Sequence, residues 1–259
     1  IRGIEQVARQ ANYNIIITQS NDLESVERSN TEAMLRAQVD GVIASIARET
    51  ENYTHYQKII DEKIPLVLFD RVTEISNAST VVIDDYLGAY KATEHLIQQG
   101  CKRIAHFAGR SHLNIYKYRT RGYIEALEDN NIPYDEDLIY TSNLQMEDGR
   151  LGVEHLLGLS KRPDAIFAAS DYSALGAMQV LKEKSIKIPD EVALVGFADE
   201  PFAAIVEPKL SSVNQMSEQM GQFAAKIFLE HVKNESKEFI PAKTVLTPQL
   251  IVRASSQKI

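Results

Sequence analysis

The stretch at residues 188–215 reads IPDEVALVGFADEPFAAIVEPKLSSVNQ and is the most informative part of the chain. Its apolar run, 192–195, ends at Gly196, and the carboxylates Asp199 and Glu200 follow almost at once. Such a run is typical of a buried parallel strand, because both faces of a parallel sheet are covered. Open α/β sheets bind ligands beyond the carboxyl ends of their strands. The stretch therefore predicts an α/β fold with ligand-binding residues after this strand.

The composition is that of a globular chain, with 44% hydrophobic and 25% charged residues in a length of 259. This length suits one large domain or two ordinary ones. The net charge is -8 and no dense basic cluster occurs, so the chain by itself is not expected to bind nucleic acid tightly. Its single cysteine excludes an intrachain disulfide, and no apolar run approaches the roughly 20 residues that span a bilayer.

Apolar runs alternate with amphipathic stretches along most of the chain, which indicates βαβ units and parallel sheets. We expect strands near 14–18, 40–44, 65–70, 81–84, 103–108, 138–141, 165–169 and 192–197, with helices between them and another helix at 216–231. Asp85 is expected to cap the helix that stops at Gly100. Because so many units exceed what one compact sheet holds, the pattern predicts two α/β lobes with a break near Gly109.

Catalytic motifs are absent from the sequence, which contains no GxGxxG, GxxxxGK[ST], HExxH or GxSxG pattern. The six histidines are scattered, and no two of them have the i, i+4 spacing of a helical metal site. We therefore expect no catalytic residue, metal or cofactor, and we predict a binding protein rather than an enzyme.

Five segments, in order along the chain, resemble the lactose-repressor (LacI/GalR) family of bacterial transcription regulators. Together they cover nearly the whole sequence, and their clearest motifs are LFDR at 68–71, RTRGY at 119–123, SDYSALG at 170–176 and QLIVRAS at 249–255. The resemblance implies the two-lobed fold of type I periplasmic binding proteins, in which doubly wound parallel-sheet lobes enclose one effector cleft.

The resemblance also implies a domain organisation in which the chain crosses between lobes near 109–112, 213–216 and 240–243. The N-terminal lobe is then expected to contain 1–110 and 215–240, and the C-terminal lobe 111–214 and 241–259. Family members carry a helix-turn-helix domain upstream and a strand before the helix that begins at Ile1. Neither is present in this sequence, so we expect the natural polypeptide to be longer.

Arg119, three residues before Gly122, occupies the position of the family's effector-binding arginine. A guanidinium can pair with two oxygens of a sugar or a carboxylate, although a lobe-bridging or surface salt bridge would also explain it. We expect Arg119→Ala to abolish effector binding and to leave the unliganded melting temperature nearly unchanged. Asp171 and Ser170 follow the strand at 165–169 and are expected to bind ligand hydroxyls, although helix capping also suits an Asp there.

Five further residues complete the expected effector site. In the first lobe Asp70 and Arg71 end a strand and face the cleft in this architecture, with mutual pairing or a turn as the alternative. Ser45 lies at another strand end. Asp199 is either a ligand carboxylate or an exposed loop charge. Leu144 stands where several relatives place an aromatic ring against the ligand.

Three of these positions depart from the sugar-binding pattern of the family. The position after Phe197 is commonly Asp, whereas this chain has Ala198 and then Asp199. Ser170 replaces a frequent Asn, and Leu144 offers apolar contact without a stacking face. A sugar or sugar derivative is the expected effector, and a purine or another non-sugar metabolite is the alternative.

The resemblance implies the effector-sensing and dimerisation core of a cytoplasmic regulator that binds operator DNA through its helix-turn-helix domain. We expect homodimer contacts on the helices near 86–99 and 147–159, whose apolar content exceeds one core stripe, although sheet packing is the alternative. A periplasmic sugar-binding protein of a transporter shares the fold and is the alternative function. The run at 208–215 and the tail at 250–255 favour the regulator.

Overall fold

The structure is a computed structural model that describes residues 1–75, 77–233 and 240–258. Contacts divide it into two compact units. Unit 1 comprises Ile1–Ile83 and Met216–Leu246, and unit 2 comprises Asp84–Gln215 and Thr247–Ile259. No helix in the described ranges is long and apolar enough to cross a membrane.

Helices and strands alternate along much of the chain, as the sequence predicts. Up to Ile83 the elements are α1 (Arg2–Gln10), α2 (Glu24–Arg36), β1 (Val42–Ala44), α3 (Thr54–Asp61), β2 (Leu66–Phe69) and β3 (Ser79–Ile83). From Asp85 they are α4 (Asp85–Gln98), β4 (Ile104–Ala108), α5 (Asn114–Asp129), β5 (Ile139–Thr141), α6 (Met146–Gly158), β6 (Ala165–Ala168), α7 (Asp171–Glu183), β7 (Ala193–Ala198), β8 (Ser211–Asn214), α8 (Ser217–Lys233), β9 (Lys243–Leu246) and β10 (Gln249–Ile251).

The sheet of unit 1 has the strand order β1-β2-β3-β9, and all its strands are parallel. The register sets Val42 opposite Leu66 and Val67 opposite Ser79. Leu66, Val67 and Leu68 are completely buried, as expected for a parallel strand that is covered on both faces. The carboxyl ends of these strands therefore share one edge of the sheet.

The sheet of unit 2 has the order β10-β8-β7-β6-β4-β5, in which only β10 is antiparallel to its neighbour. The predicted α/β fold with parallel sheets is thus confirmed. In this unit α4 packs on α5 and α6 packs on α7. A Cβ atom at Gly122 would collide with the backbone oxygen of Tyr86, so α4 and α5 approach closely because a glycine lies between them. Some apolar side chains of α4 and α6 therefore pack against other helices of unit 2. The expected dimer contacts on these helices stay a prediction.

The first change of unit lies between Ile83 and Asp84, which corrects the expected break near 109–112. Residues 84–110 belong to unit 2 because β4 pairs with β5 and β6 and because α4 packs on α5. The second change lies between Gln215 and Met216, inside the expected span of 213–216. The third lies just after Leu246, beyond the expected 240–243, so β9 belongs to unit 1 and β10 to unit 2.

The predicted strand at 14–18 is wrong, because the structure assigns no strand to these residues. A strand needs a neighbour for its backbone hydrogen bonds, and none of the described strands pairs with this segment. Ile15, Ile16 and Ile17 are 38%, 60% and 52% exposed. A groove of about 770 Å³ is lined by this segment, by β1 and by α1, α2 and α8, all within unit 1.

Candidate functional site

Five of the expected site residues lie at the carboxyl edge of the sheet in unit 2. Arg119 lies in α5, which follows β4, and Leu144 follows β5. Ser170 and Asp171 follow β6, and Asp199 follows β7. Because β4, β5, β6 and β7 run parallel, their carboxyl ends meet at one edge of the sheet. The fold thus brings these residues to the side where such sheets bind ligands.

Arg119 is held by three neighbours within unit 2. Its Nε donates to Asp85 Oδ1 over 2.8 Å, and its Nη1 donates to the carbonyl oxygen of Ala169 over 2.8 Å. The guanidinium carbon lies 3.6 Å from the centroid of the Phe197 ring, a cation–π contact. These bonds use two of the five N–H groups of an arginine and leave the others available to a ligand.

The environment of Arg119 differs from both alternatives considered for it. The residue is 4% exposed, and its ion pair with Asp85 is internal to unit 2 rather than on a surface. Asp85 was expected to cap α4, but Asp84 does so by accepting a hydrogen bond from Leu87 N. Asp85 is therefore available to neutralise the buried guanidinium.

Asp171 is completely buried, and each of its carboxylate oxygens accepts a hydrogen bond. Ser212 Oγ donates to Oδ1 over 2.6 Å, and Glu200 N donates to Oδ2 over 2.8 Å. A Cβ atom at position 196 would collide with Oδ1, so only the glycine found there leaves room for the carboxylate. Asp171 thus fixes the loop after β7. The cap of α7 is Ser170, whose Oγ accepts from Tyr172 N.

The charge state of Asp171 reflects its burial. The pKa of Asp171 is raised to about 6, mainly by burial and also by the nearby carboxylates of Asp199 and Glu200. The hydrogen bonds from Ser212 and from the backbone of Glu200 oppose the rise. A carboxyl group in this setting changes its protonation state in the mildly acidic range.

Asp199 is held in an ion pair and is therefore not an exposed loop charge. Its Oδ1 accepts from Arg253 Nη2 over 2.7 Å, and its Oδ2 accepts from Asn214 Nδ2 over 3.0 Å. Its backbone N donates to Ser212 Oγ over 2.9 Å. Ser212 consequently connects Asp199 to Asp171, and a carboxylate with two bonds still has lone pairs for ligand hydroxyls.

Leu144 lies in the core of unit 2. Its side chain is 2% exposed and belongs to the same buried cluster as Leu113, Tyr116 and Ala203. Its backbone has a φ of 59°, and its N donates to Ser142 Oγ over 3.1 Å. The structure therefore gives Leu144 a packing role beneath the carboxyl edge.

The three expected residues of unit 1 lie at the carboxyl edge of its own sheet. Ser45 follows β1, and Asp70 and Arg71 follow β2. Asp70 has a φ of 59°, which is typical of a tight turn. The Oγ of Ser45 is buried and has no hydrogen-bond partner in the described part of the chain. A buried hydroxyl without a partner is costly, which favours a polar ligand there.

Two arginines at this edge share one carboxylate. Arg71 Nη1 donates to Asp22 Oδ1 over 2.5 Å, and Arg48 Nη2 lies 3.2 Å from Asp22 Oδ2. Burial raises the pKa of Asp22, but the hydrogen bonds and charges of Arg71 and Arg48 outweigh it and leave that pKa below its ordinary value. Asp22 therefore stays ionised and fixes both guanidinium groups.

A buried carboxylate in α2 supports the loop that follows β1. Glu27 accepts hydrogen bonds from Ala47 N, Thr50 Oγ1 and Tyr56 OH, at 2.5, 2.6 and 2.8 Å. It also lies 3.0 Å from His55 Nε2. Burial raises the pKa of Glu27, and these hydrogen bonds together lower it below its ordinary value. Glu27 thus anchors the segment that carries Ser45.

The sequence did not reveal the partners that hold these residues. Asp85 lies 34 positions from Arg119, and Arg253 lies 54 positions from Asp199. No local spacing connects such pairs. The motif QLIVRAS includes Arg253, but the motif alone gives it no role.

Comparison with known proteins identifies the family. A family model described as a periplasmic binding protein-like domain matches residues 93–256. The HTH-type transcriptional regulator RegA of Clostridium saccharobutylicum is 32% identical over 99% of this chain and 76% of its own length. The ribose operon repressor of Haemophilus influenzae is 30% identical over 98% of this chain and 75% of its own length. A solved complex of the transcriptional regulator CelR with cellobiose superimposes with a TM-score of 0.89 at 28% identity and covers 98% of this chain and 76% of that one. The chain therefore belongs to the LacI family of transcriptional regulators, of which it is an effector-binding core.

Proposed function

We propose that this chain senses a small polar effector, a sugar or sugar derivative, and binds it without chemical turnover. The observation that carries the proposal is the setting of Arg119. Its guanidinium is neutralised by Asp85 and stacked on Phe197, and it retains unused N–H groups at the edge where parallel sheets bind ligands. A cation fixed in this way recognises ligand oxygens without reorganising.

The proposed contacts combine donors and acceptors from both units. Arg119 and Ser170 contribute from unit 2, where Asp199 accepts from ligand hydroxyls. Ser45, Asp70 and Arg71 contribute from unit 1, in the cleft that the family resemblance implies. Asp171 acts as a positioning residue, because its side chain is completely buried and accepts from Ser212 and from the backbone of Glu200. Leu144 supports the edge from the core.

A sugar is favoured because each of its hydroxyls both donates and accepts a hydrogen bond. Arg119 supplies only donors, and the ionised Asp199 supplies only acceptors, so the pair suits neighbouring hydroxyls. The names of relatives agree with this class, since the CelR structure contains cellobiose and another relative is a ribose operon repressor.

In the complete regulator the effector is proposed to shift the equilibrium between two arrangements of the lobes. The shift would reach operator DNA through a helix-turn-helix domain, the class of domain named for RegA. Such coupling requires a difference in effector affinity between the two arrangements of about 1–3 kcal/mol. The chain is also proposed to act as a homodimer.

Thermal unfolding with ribose, cellobiose and a panel of other sugars and nucleobases tests the proposal. A compound present at 100 times its Kd should stabilise the chain by about 2.7 kcal/mol, and Arg119→Lys should weaken this response by tenfold or more in Kd. Arg103→Gln is the matched control, because Arg103 pairs with Asp135 at the amino end of β4 in the same unit. A protein that responds to no compound, or that converts one chemically, would contradict the proposal. Light scattering after gel filtration tests the dimer.

A further inference from the structure

Arg253 is fixed beside Asp199 by contacts that need no ligand. Its Nη1 donates to the carbonyl oxygen of Leu210 over 2.7 Å, and its Nη2 donates to Asp199 Oδ1 over 2.7 Å. Its backbone N donates to Ser211 Oγ over 2.7 Å, and Ser211 Oγ lies 2.9 Å from its carbonyl oxygen. Arg253 is thus held in place through both its backbone and its side chain.

The pair includes Asp199, which follows β7 at the edge where the effector is proposed to bind. The side chains of Asp199 and Arg253 are 15% and 17% exposed, so they are only partly screened by water. Asp199 directly follows Ala198, the last residue of β7. The loop reaches this position with positive φ angles at Ala198 and Asp199, 131° and 55°. Arg253 therefore neutralises a carboxylate in the loop that follows β7.

Arg119 and Asp171, two other titratable residues at this edge, are held in different ways. Arg119 is compensated by Asp85 at 2.8 Å. Asp171 is completely buried behind Ser212 and the backbone of Glu200. If Arg253 were neutral, Asp199 would carry an uncompensated negative charge toward the ligand, and a cationic ligand would gain most from it.

We propose that Arg253 sets the charge preference of the effector site. By neutralising Asp199 it makes the site select uncharged, hydroxyl-bearing effectors over their cationic amino analogues. The inference rests on the proposed function, because it concerns the ligand of that same site. Arg253 acts through Asp199 and is a positioning residue, and its position in the C-terminal segment makes that segment part of the site.

Calorimetric titration with matched probes tests this role. The probes are ribose, cellobiose, glucose and galactose, with glucosamine and galactosamine as the cationic analogues of the last two. In the wild-type chain each neutral hexose should bind at least tenfold more tightly than its amino analogue. Arg253→Gln should shift this ratio at least tenfold toward the amino analogue, and Arg253→Lys, which keeps the charge, should leave it within threefold.

Asp199→Asn changes the charge in the opposite direction and tests the same idea if Arg253→Gln does not fold. It leaves Arg253 uncompensated, so the ratio should move further against the amino analogue. Arg103→Gln removes the ion pair with Asp135 and should leave the ratio unchanged. Because the ratio compares two ligands on one protein, a general loss of stability does not move it.

The outcomes separate the two proposals. A wild-type chain that binds none of these probes contradicts the proposed sugar-sensing function and this inference with it. If the wild-type chain binds a hexose and Arg253→Gln retains the wild-type ratio, only the role of Arg253 is contradicted. Where Arg253→Gln does not fold, a wild-type ratio in Asp199→Asn contradicts that role in the same way.

Discussion

Arg119 and Asp85 form an ion pair inside unit 2, with Nε and Oδ1 2.8 Å apart and side chains that are 5% and 2% exposed. Removing one member of a buried pair leaves the other charge without compensation, which typically costs about 3–5 kcal/mol. The sequence alone led us to expect that Arg119→Ala would leave the stability of the unliganded chain nearly unchanged. The buried partner makes a substantial loss of stability the better expectation.

A double-mutant cycle tests this pair. Arg119→Ala and Asp85→Ala should each lower the free energy of unfolding by about 3 kcal/mol or more, because each leaves a buried charge. The double variant should lose less than the sum by about 1–3 kcal/mol, since neither charge remains. Urea denaturation of the four proteins measures these values. Strict additivity would show that the two side chains do not interact.

The raised pKa of Asp171 makes the stability of unit 2 decrease as the pH rises. Burial raises its pKa in the folded chain to about 6 from an ordinary value of 3.8. The folded state therefore holds this proton more tightly than the unfolded chain. The resulting stabilisation is complete below about pH 4 and is lost as the pH rises through about 6. This difference of about two pKa units corresponds to a decrease in the free energy of unfolding on the order of 3 kcal/mol.

The variant Asp171→Asn isolates this contribution, because an amide of the same shape does not titrate. The free energy of unfolding of the wild type minus that of the variant should fall between pH 4 and pH 6 and level off above about pH 7. Urea denaturation across pH 4–8 provides the curve. Subtracting the variant removes the opposite contributions of Asp22 and Glu27, whose pKa values are lowered. A difference that rises with pH would contradict the assignment.

Glu27 should be important for the stability of unit 1. Glu27→Ala leaves Ala47 N, Thr50 Oγ1 and Tyr56 OH without their acceptor, and each unsatisfied buried group costs about 1–3 kcal/mol. We expect a loss of at least about 3 kcal/mol in urea denaturation and faster amide hydrogen exchange at Ala47. Glu32→Ala is the control in the same helix, because Glu32 makes two long ion pairs at the surface, each of 3.9 Å. It should change stability by less than about 0.5 kcal/mol. Equal losses in the two variants would contradict the role of Glu27.

Local apolar patterns correctly predicted strands that depend on their own side chains. They failed where a strand also depends on residues elsewhere in the chain. The run LVLF at 66–69 forms a buried strand because its side chains are apolar on both faces. The run of isoleucines at 15–17 is equally apolar, yet it forms no strand because the described chain offers it no pairing neighbour. The unit to which β4 belongs depends on its pairing with β6, which no spacing reveals.

The candidate site shows the same division. Strand ends placed Asp171 and Asp199 at one edge, because the carboxyl ends of parallel strands coincide. Arg119 was predicted from the family resemblance alone. Their partners could not be predicted, because charge compensation joins residues that are far apart in sequence. The structure therefore changes Asp171 from an expected ligand contact into a proposed positioning residue and adds Arg253.

Two serines that follow parallel strands should respond to alanine in opposite directions. Ser45 Oγ is buried without a hydrogen-bond partner among the described residues, so Ser45→Ala should raise the unliganded free energy of unfolding by up to about 1 kcal/mol. Ser170 Oγ caps α7 by accepting from Tyr172 N, so Ser170→Ala should lower it by about 1 kcal/mol. If Ser45 bonds to the effector, Ser45→Ala should also weaken effector binding several-fold. Urea denaturation and calorimetric titration separate these effects. A Ser45→Ala variant that loses stability but keeps its affinity for the effector would show that the hydroxyl serves the fold rather than the ligand.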